Sequence, residues 1–158
     1  MVPAMPPEPS DVRAHDDAGL PTGAPTAGFS LLGAWRLPST AGLAGLRGGL
    51  LDTLEGEGAG RVRDVTSQEV VLVASELTTN ALEHGGAPAD VRLLCDSRCY
   101  LLDVADPGVD ALPVVAGVRP AGAGGFGLLI TQRLSESLGW YADGPTKHVW
   151  ATVGPHPC

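Results

Sequence analysis

Ser75-Glu76-Leu77-Thr78-Thr79-Asn80-Ala81-Leu82-Glu83-His84-Gly85 is the stretch on which the reading of this chain turns. Thr66-Ser67-Gln68-Glu69, just upstream, has the form of a capping box, and Val70, Val73, Ala74, Leu77 and Ala81 follow as one apolar stripe at helical spacing. The sequence therefore predicts a helix that ends at Gly85-Gly86. Glu76 and Asn80 are four apart, so both project from one side of that helix, beside the Leu77 edge of the stripe. An amide oxygen at Asn80 suits one position on a magnesium ion whose other ligands are phosphates and waters. A carboxylate one turn earlier suits the orientation or deprotonation of an incoming hydroxyl or water. A glutamate and an asparagine on a solvated helix face would give the same spacing, so the pair alone does not decide the matter.

Working outward, residues 1–28 are rich in Pro, Gly, Ala and Asp without apolar periodicity, and read as a disordered tail. A domain is expected over 29–154, with 155–158 as a C-terminal tail. Ala34-Trp35-Arg36-Leu37 reads as a first strand that stops at Pro38. Ser39 or Thr40 can then cap a helix with Leu43, Leu46, Leu50 and Leu54 on one face, although four glycines (42, 45, 48 and 49) each weaken it. Beyond the central helix, strands are expected near 90–95 and 99–105. A loop follows from Pro107 to Pro120. A glycine-opened helix then carries Phe126, Ile130, Leu134 and Leu138 and closes at Gly139. Last comes a hairpin of 140–142 and 147–153 around Asp143-Gly144. This order predicts an α/β (α+β) two-layer sandwich, a mixed and largely antiparallel sheet with helices on one face.

Two further places combine polar chemistry with positions that need a reason. Tyr100, Leu102, Val104 and Asp106 share one strand face by period two, so a carboxylate continues a buried apolar row and needs a donor. The exocyclic amine of adenine is one such donor, and Pro107-Gly108 would let a flat base approach the backbone. An aspartate that bonds its own turn explains the position equally well. The third place is Gly122 to Gly127, where glycines before a helix expose N–H groups to a phosphate. The run also fits G-x-G-x-x-G. A dinucleotide fold is excluded, because Pro113 and Pro120 interrupt the segment before it and only 31 residues follow Gly127.

Bulk properties narrow the classes. With 158 residues, 44% apolar and 18% charged, the chain can bury one core. Aromatic residues are 4% of it, so Leu, Val and Ala must build that core. A net charge of −8 argues against a nucleic-acid partner, and Lys147 is the sole lysine. No run is long and apolar enough for a membrane span, and the start lacks the pattern of a signal peptide, so a cytoplasmic protein is expected. Cys95 and Cys99 flank a turn, but reduced thiols are the expectation.

Taken in order, Glu76-Leu-Thr-Thr-Asn80-Ala on a helix, Asp106-Pro-Gly108 at a strand end and Gly124-Gly-Phe-Gly127-Leu at a helix start resemble the N, G1 and G2 boxes of the GHKL (Bergerat-fold) ATPases. The wording from Ser75 to Gly85, Trp35-Arg36-Leu37-Pro38 and Lys147-His148-Val149-Trp150-Ala151 resembles the anti-sigma-factor serine kinases and their actinobacterial relatives. The likeness spans roughly residues 33–153. It implies Mg²⁺ and ATP as cofactors, with Glu76 as the base and Asn80 as the magnesium ligand. Asp106 and Gly108 would line the adenine pocket, and Gly124, Gly125 and Gly127 would hold the phosphates. Thr146 and Lys147 fall where the family has a third nucleotide-side motif, with Thr146 assigned to the nucleotide and Lys147 equally readable as a surface residue on a strand. Residues 109–123 would form an ATP lid, within which Arg119 could reach the γ-phosphate. The implied partners are an anti-sigma-factor antagonist, a sigma factor, or both, with a homodimer as a family habit. The implied activity is serine/threonine protein kinase. A nucleotide-responsive binding module without kinase activity is the alternative. The short, proline-containing lid and the single arginine of the first helix, Arg47, depart from the family pattern and bear on substrate phosphorylation and docking more than on nucleotide binding.

Overall fold

The computed structural model describes residues 20–56, 67–110 and 126–154. In chain order the elements are β1 (Ser30–Leu37), α1 (Leu43–Glu55), α2 (Ser67–Asn80), β2 (Ala89–Cys95), β3 (Tyr100–Asp106), α3 (Phe126–Leu134), β4 (Ser137–Asp143) and β5 (Thr146–Val153). The five strands form one sheet in the order β1-β2-β3-β5-β4, and every strand pair is antiparallel. This is the expected α+β layer structure.

Each helix of the core starts from a local signal. The Ser39 side chain accepts from the Ala41 N–H, and a short 3-10 turn, Thr40–Gly42, leads into α1. Leu46, Leu50 and Leu54 are its buried face, as their spacing predicts. Gly49 is not a flaw in that helix, because a Cβ there would overlap the indole of Trp35 on β1. The helix can therefore lie close to the sheet. On α2 the buried stripe includes Val70, Val73, Ala74 and Leu77, and the helix packs against α1, α3, β3 and β5. Thr66, the first residue of the expected capping box, lies outside the described residues.

The core is the layer between α1, α2 and one sheet face, where Val91, Leu93, Leu102, Val104, Val149 and Ala151 are buried. β3 is the middle strand and is buried along its whole length. On the exposed side of β1, Arg36 binds Asp90 of β2 through two hydrogen bonds of 2.8 and 3.1 Å, which hold the Asp90 carboxyl below the usual carboxylate range.

Three expectations need correction. Order does not begin near residue 29. Leu20 is buried in the core, and Pro21–Gly23 lies along the outer edge of β4, where Trp140 donates to the Pro21 carbonyl and accepts from the Gly23 N–H. Thr22 makes a parallel bridge to Trp140, so this segment closes an edge that would otherwise present unpaired groups. The helix carrying Ile130 and Leu134 stops there. Leu138 and Gly139 belong to β4, because Glu136 donates to the Thr152 carbonyl and Ser137 to the Thr152 hydroxyl, which starts the ladder with β5. Finally, Cys95 is a free buried thiol whose pKa is pushed up by burial, whereas Cys99 is disulfide-bonded, so only the first fits the expectation of reduced cysteines. Gly144, at φ +60, makes the tight turn between β4 and β5 at the expected place.

Candidate functional site

Asp106 ends β3, and its side chain is fully buried. Its two oxygens behave differently. Oδ1 accepts from the Gly108 N–H at 2.7 Å, which is the turn-forming role open to any aspartate before Pro-Gly. Oδ2 is buried and has no hydrogen-bond partner. The turn-forming role is thus seen at one oxygen, and the other is left as a buried acceptor without a donor.

The walls around the carboxylate explain its glycines. After Asn80, α2 does not stop but continues as one π-helical turn, Ala81–Gly85, a distortion often found at functional sites. This turn packs against β3. A Cβ on Gly85 would overlap the Asp106 carboxyl group, and a Cβ on Gly108 would overlap the Gly85 backbone. Gly85, Asp106 and Gly108 are therefore held in mutual contact by the absence of side chains at two of the three positions. Gly86 leaves the turn at φ +94, a backbone region that suits glycine.

The partner of Asp106 across the sheet is Lys147, on β5. Its Nζ lies 3.5 Å from Oδ2, and its side chain is 1% exposed. That separation is within ion-pair range but longer than a normal N–H···O bond. Burial pushes the Asp106 carboxyl above its ordinary range. The Gly108 N–H, the Lys147 charge and, more weakly, His148 act in the opposite direction.

Glu76 is half-buried and Asn80 is buried on α2, one turn apart as expected, and the helix runs from them into the π turn that covers Asp106. Gly127 lies in the first turn of α3. Gly122, Gly124, Gly125, the lid residues 111–123 and Arg119 lie outside the described residues. Thr146 is not brought to Asp106. It pairs with Asp143 at the hairpin end, and alternation along β5 puts it on the face of His148 and Trp150, opposite Lys147. The residues that sequence reasoning placed too loosely are Lys147 and Gly85. Period two along β5, counted back from buried Val149, carries the signal for Lys147.

The far face of the sheet holds a second polar cluster. Asp103 of β3 is 1% exposed and accepts from Arg92 and from the Tyr141 hydroxyl, each at 3.2 Å, and from His148 Nδ1 at 2.8 Å. The Tyr141 and His148 rings stack with centroids 4.5 Å apart. Burial and the negative charge of Asp103 push the Tyr141 hydroxyl up to about 12. Among the described residues no three His, Cys, Asp or Glu side chains converge as a metal site, so a cation near Asn80 would need oxygens supplied by its ligand. No helix among the described residues is long and apolar enough to cross a membrane.

Comparison with known proteins adds two findings. The family model described as histidine kinase-like ATPase domain matches residues 45–153. Among solved structures, the Acinetobacter baumannii histidine kinase AdeS aligns at 15% identity and a TM-score of 0.42, covering 78% of this chain and 68% of that one. No curated protein sequence matches.

Proposed function

The chain belongs to the histidine kinase-like ATPase domain family and so is an ATP-binding domain, and from that premise we propose that it is a protein serine/threonine kinase acting on an anti-sigma-factor antagonist. Support for the nucleotide site comes from one observation above the others, the orphaned Oδ2 of Asp106, packed against glycines at 85 and 108 that carry no side chain. An exocyclic amine is the complementary donor, and a buried acceptor without a partner is costly until one arrives. In this reading Asp106 and Gly108 receive the adenine. Asn80 offers its amide oxygen to Mg²⁺, which neutralises phosphate charge when bound. Gly124, Gly125 and Gly127 are assigned to the phosphates, which backbone N–H groups before a helix can bind.

Glu76 is the proposed base. The serine hydroxyl oxygen attacks the γ-phosphorus, its proton passes to the Glu76 carboxylate, and the bond from the γ-phosphorus to the β,γ-bridging oxygen breaks to release ADP. Positioning and charge neutralisation supply most of the rate in such transfers. The motif from Ser75 to Gly85 is what favours a protein substrate of the anti-sigma type, with a sigma factor or similar regulator as a second protein held according to nucleotide state.

The test is transfer from radiolabelled ATP to candidate antagonists by the wild type and by Glu76→Ala. Label on the antagonist, with transfer by the variant reduced at least about a hundredfold while ATP still binds, is the expected result. ATP binding without label on any antagonist would leave a nucleotide-responsive binding module. Transfer by Glu76→Ala at the wild-type rate would remove Glu76 from its role.

A further inference from the structure

Lysine is among the residues least often found fully buried, and the sole lysine of this chain is buried beside Asp106 Oδ2, a buried carboxylate oxygen that lacks a hydrogen bond. Removing both charges from water costs several kcal/mol per ion in general, and the Lys147–Asp106 pair, at 3.5 Å, is a long one. If stability alone governed the pair, two apolar side chains would fill the space as well. What the pair does provide is a positive charge placed behind the one Asp106 oxygen that is free of the turn.

The role of that charge follows from what the wall must offer a base. Oδ1 is committed to the Gly108 N–H, so the ligand is left with Oδ2. A carboxylate accepts from an exocyclic amine, whereas a protonated carboxyl also presents a donor, which suits an exocyclic carbonyl. Which form is present depends on the charges around it. Among the described residues, Lys147 and His148 of β5 are the charged or titratable groups acting on Asp106. The turn packed over it contributes Gly85, which has no side chain, and His84 beside it is exposed. His148 is itself engaged by Asp103 on the other face. Lys147 is therefore the charge that opposes burial at this site.

We propose that Lys147 is a positioning residue of the base pocket, holding Asp106 as a pure acceptor so that the site selects 6-amino over 6-oxo purines and keeps doing so in mild acid. The inference rests on the assignment of Asp106 to the adenine. It adds that selectivity is set from behind the carboxylate by a residue that does not touch the base. Lys147 is not a catalytic residue in this scheme.

The experiment is calorimetric titration of the full chain with ATP and with inosine triphosphate, from pH 5 to 8, for the wild type, Lys147→Met and Lys147→Arg. In the wild type, ATP binds in preference to inosine triphosphate across the range. In Lys147→Met the acid midpoint of ATP binding moves up by at least about one pH unit, equivalent to tenfold weaker binding on that limb. Its preference for ATP over inosine triphosphate shrinks or reverses as the pH falls. Lys147→Arg, which keeps the charge, restores the wild-type profile. Lys147→Gln replaces the methionine variant if that fails to fold, with the same expectation. An acid midpoint and purine preference unchanged in either neutral variant would overturn the proposal while leaving the base pocket intact. A wild-type affinity for ATP that Asp106→Ala leaves unchanged would instead overturn the pocket assignment, and this inference with it.

Discussion

Asp106 divides its carboxylate between structure and recognition, and its replacement by asparagine separates the two. The amide oxygen of Asp106→Asn can still accept from Gly108, so the turn should survive. A charge-assisted acceptor is lost, and ATP affinity should fall by about 2 kcal/mol, roughly thirtyfold, in calorimetry at pH 7. The ion pair with buried Lys147 is lost, so the melting temperature should drop as well. Tyr141 offers a pH test at the same scale. Burial and the Asp103 charge push its pKa from the ordinary 10 up to about 12, so the folded state holds this proton more tightly than the unfolded chain does. The resulting stability is fully present below pH 10 and is lost as the pH rises towards 12. Tyr141→Phe should remove that alkaline slope from a series of denaturant titrations. Of these residues, Asp106 was legible because it continues an apolar row, whereas Asp103 lies on the alternate face and reads as solvent-exposed. Its burial depends on Arg92 of β2, Tyr141 of β4 and His148 of β5 folding over it from three other strands, and no local pattern encodes that. Lys147 was assigned no firm place because lysine carries so strong an expectation of exposure.

At the scale of elements, helix α1 shows which glycines have a structural reason. A Cβ at Gly45 or Gly48 meets nothing, whereas one at Gly49 meets the Trp35 indole. Gly48→Ala should therefore raise stability by about 1 kcal/mol through helix propensity. Gly49→Ala should lower it, and chemical denaturation of the two variants checks both signs. The sequence could count these glycines but could not tell them apart, since the difference depends on a residue of another element. The end of α3 was misread for a related reason. Leu138 fits a four-residue spacing with Ile130 and Leu134, but the backbone groups from Glu136 onward pair with Thr152, and the ladder prevails over the period. Elements with a strong signal at both ends were legible. The Ser39 cap and the Gly85-Gly86 stop fall where the residue types place them.

For the molecule as a whole, a largely antiparallel sheet with helices on one face followed from the order of elements, the strands proved antiparallel throughout, and the family match over residues 45–153 agrees with that fold. Nothing local marks Leu20 as a core residue, since one leucine among prolines and glycines has no period to reveal it. Its burial has a consequence for chain length. Gly23 sits at the β4 edge and Ser30 begins β1, and these two strands are at opposite ends of the sheet order. Seven Cα steps join them, a reach of about 25 Å at full extension. The four inter-strand spacings between those edges already take about 19 Å. The connection is thus a nearly taut strap with almost no slack to give up. Deleting Ala24 through Thr26 should pull Leu20 from its seat, with a loss of about 2 kcal/mol and exposure of the Trp140 amide to hydrogen exchange. Three residues added at the same place should cost only a few tenths of a kcal/mol. Such a strap sets a minimum on the distance, counted along the chain, between the first buried leucine and the first strand.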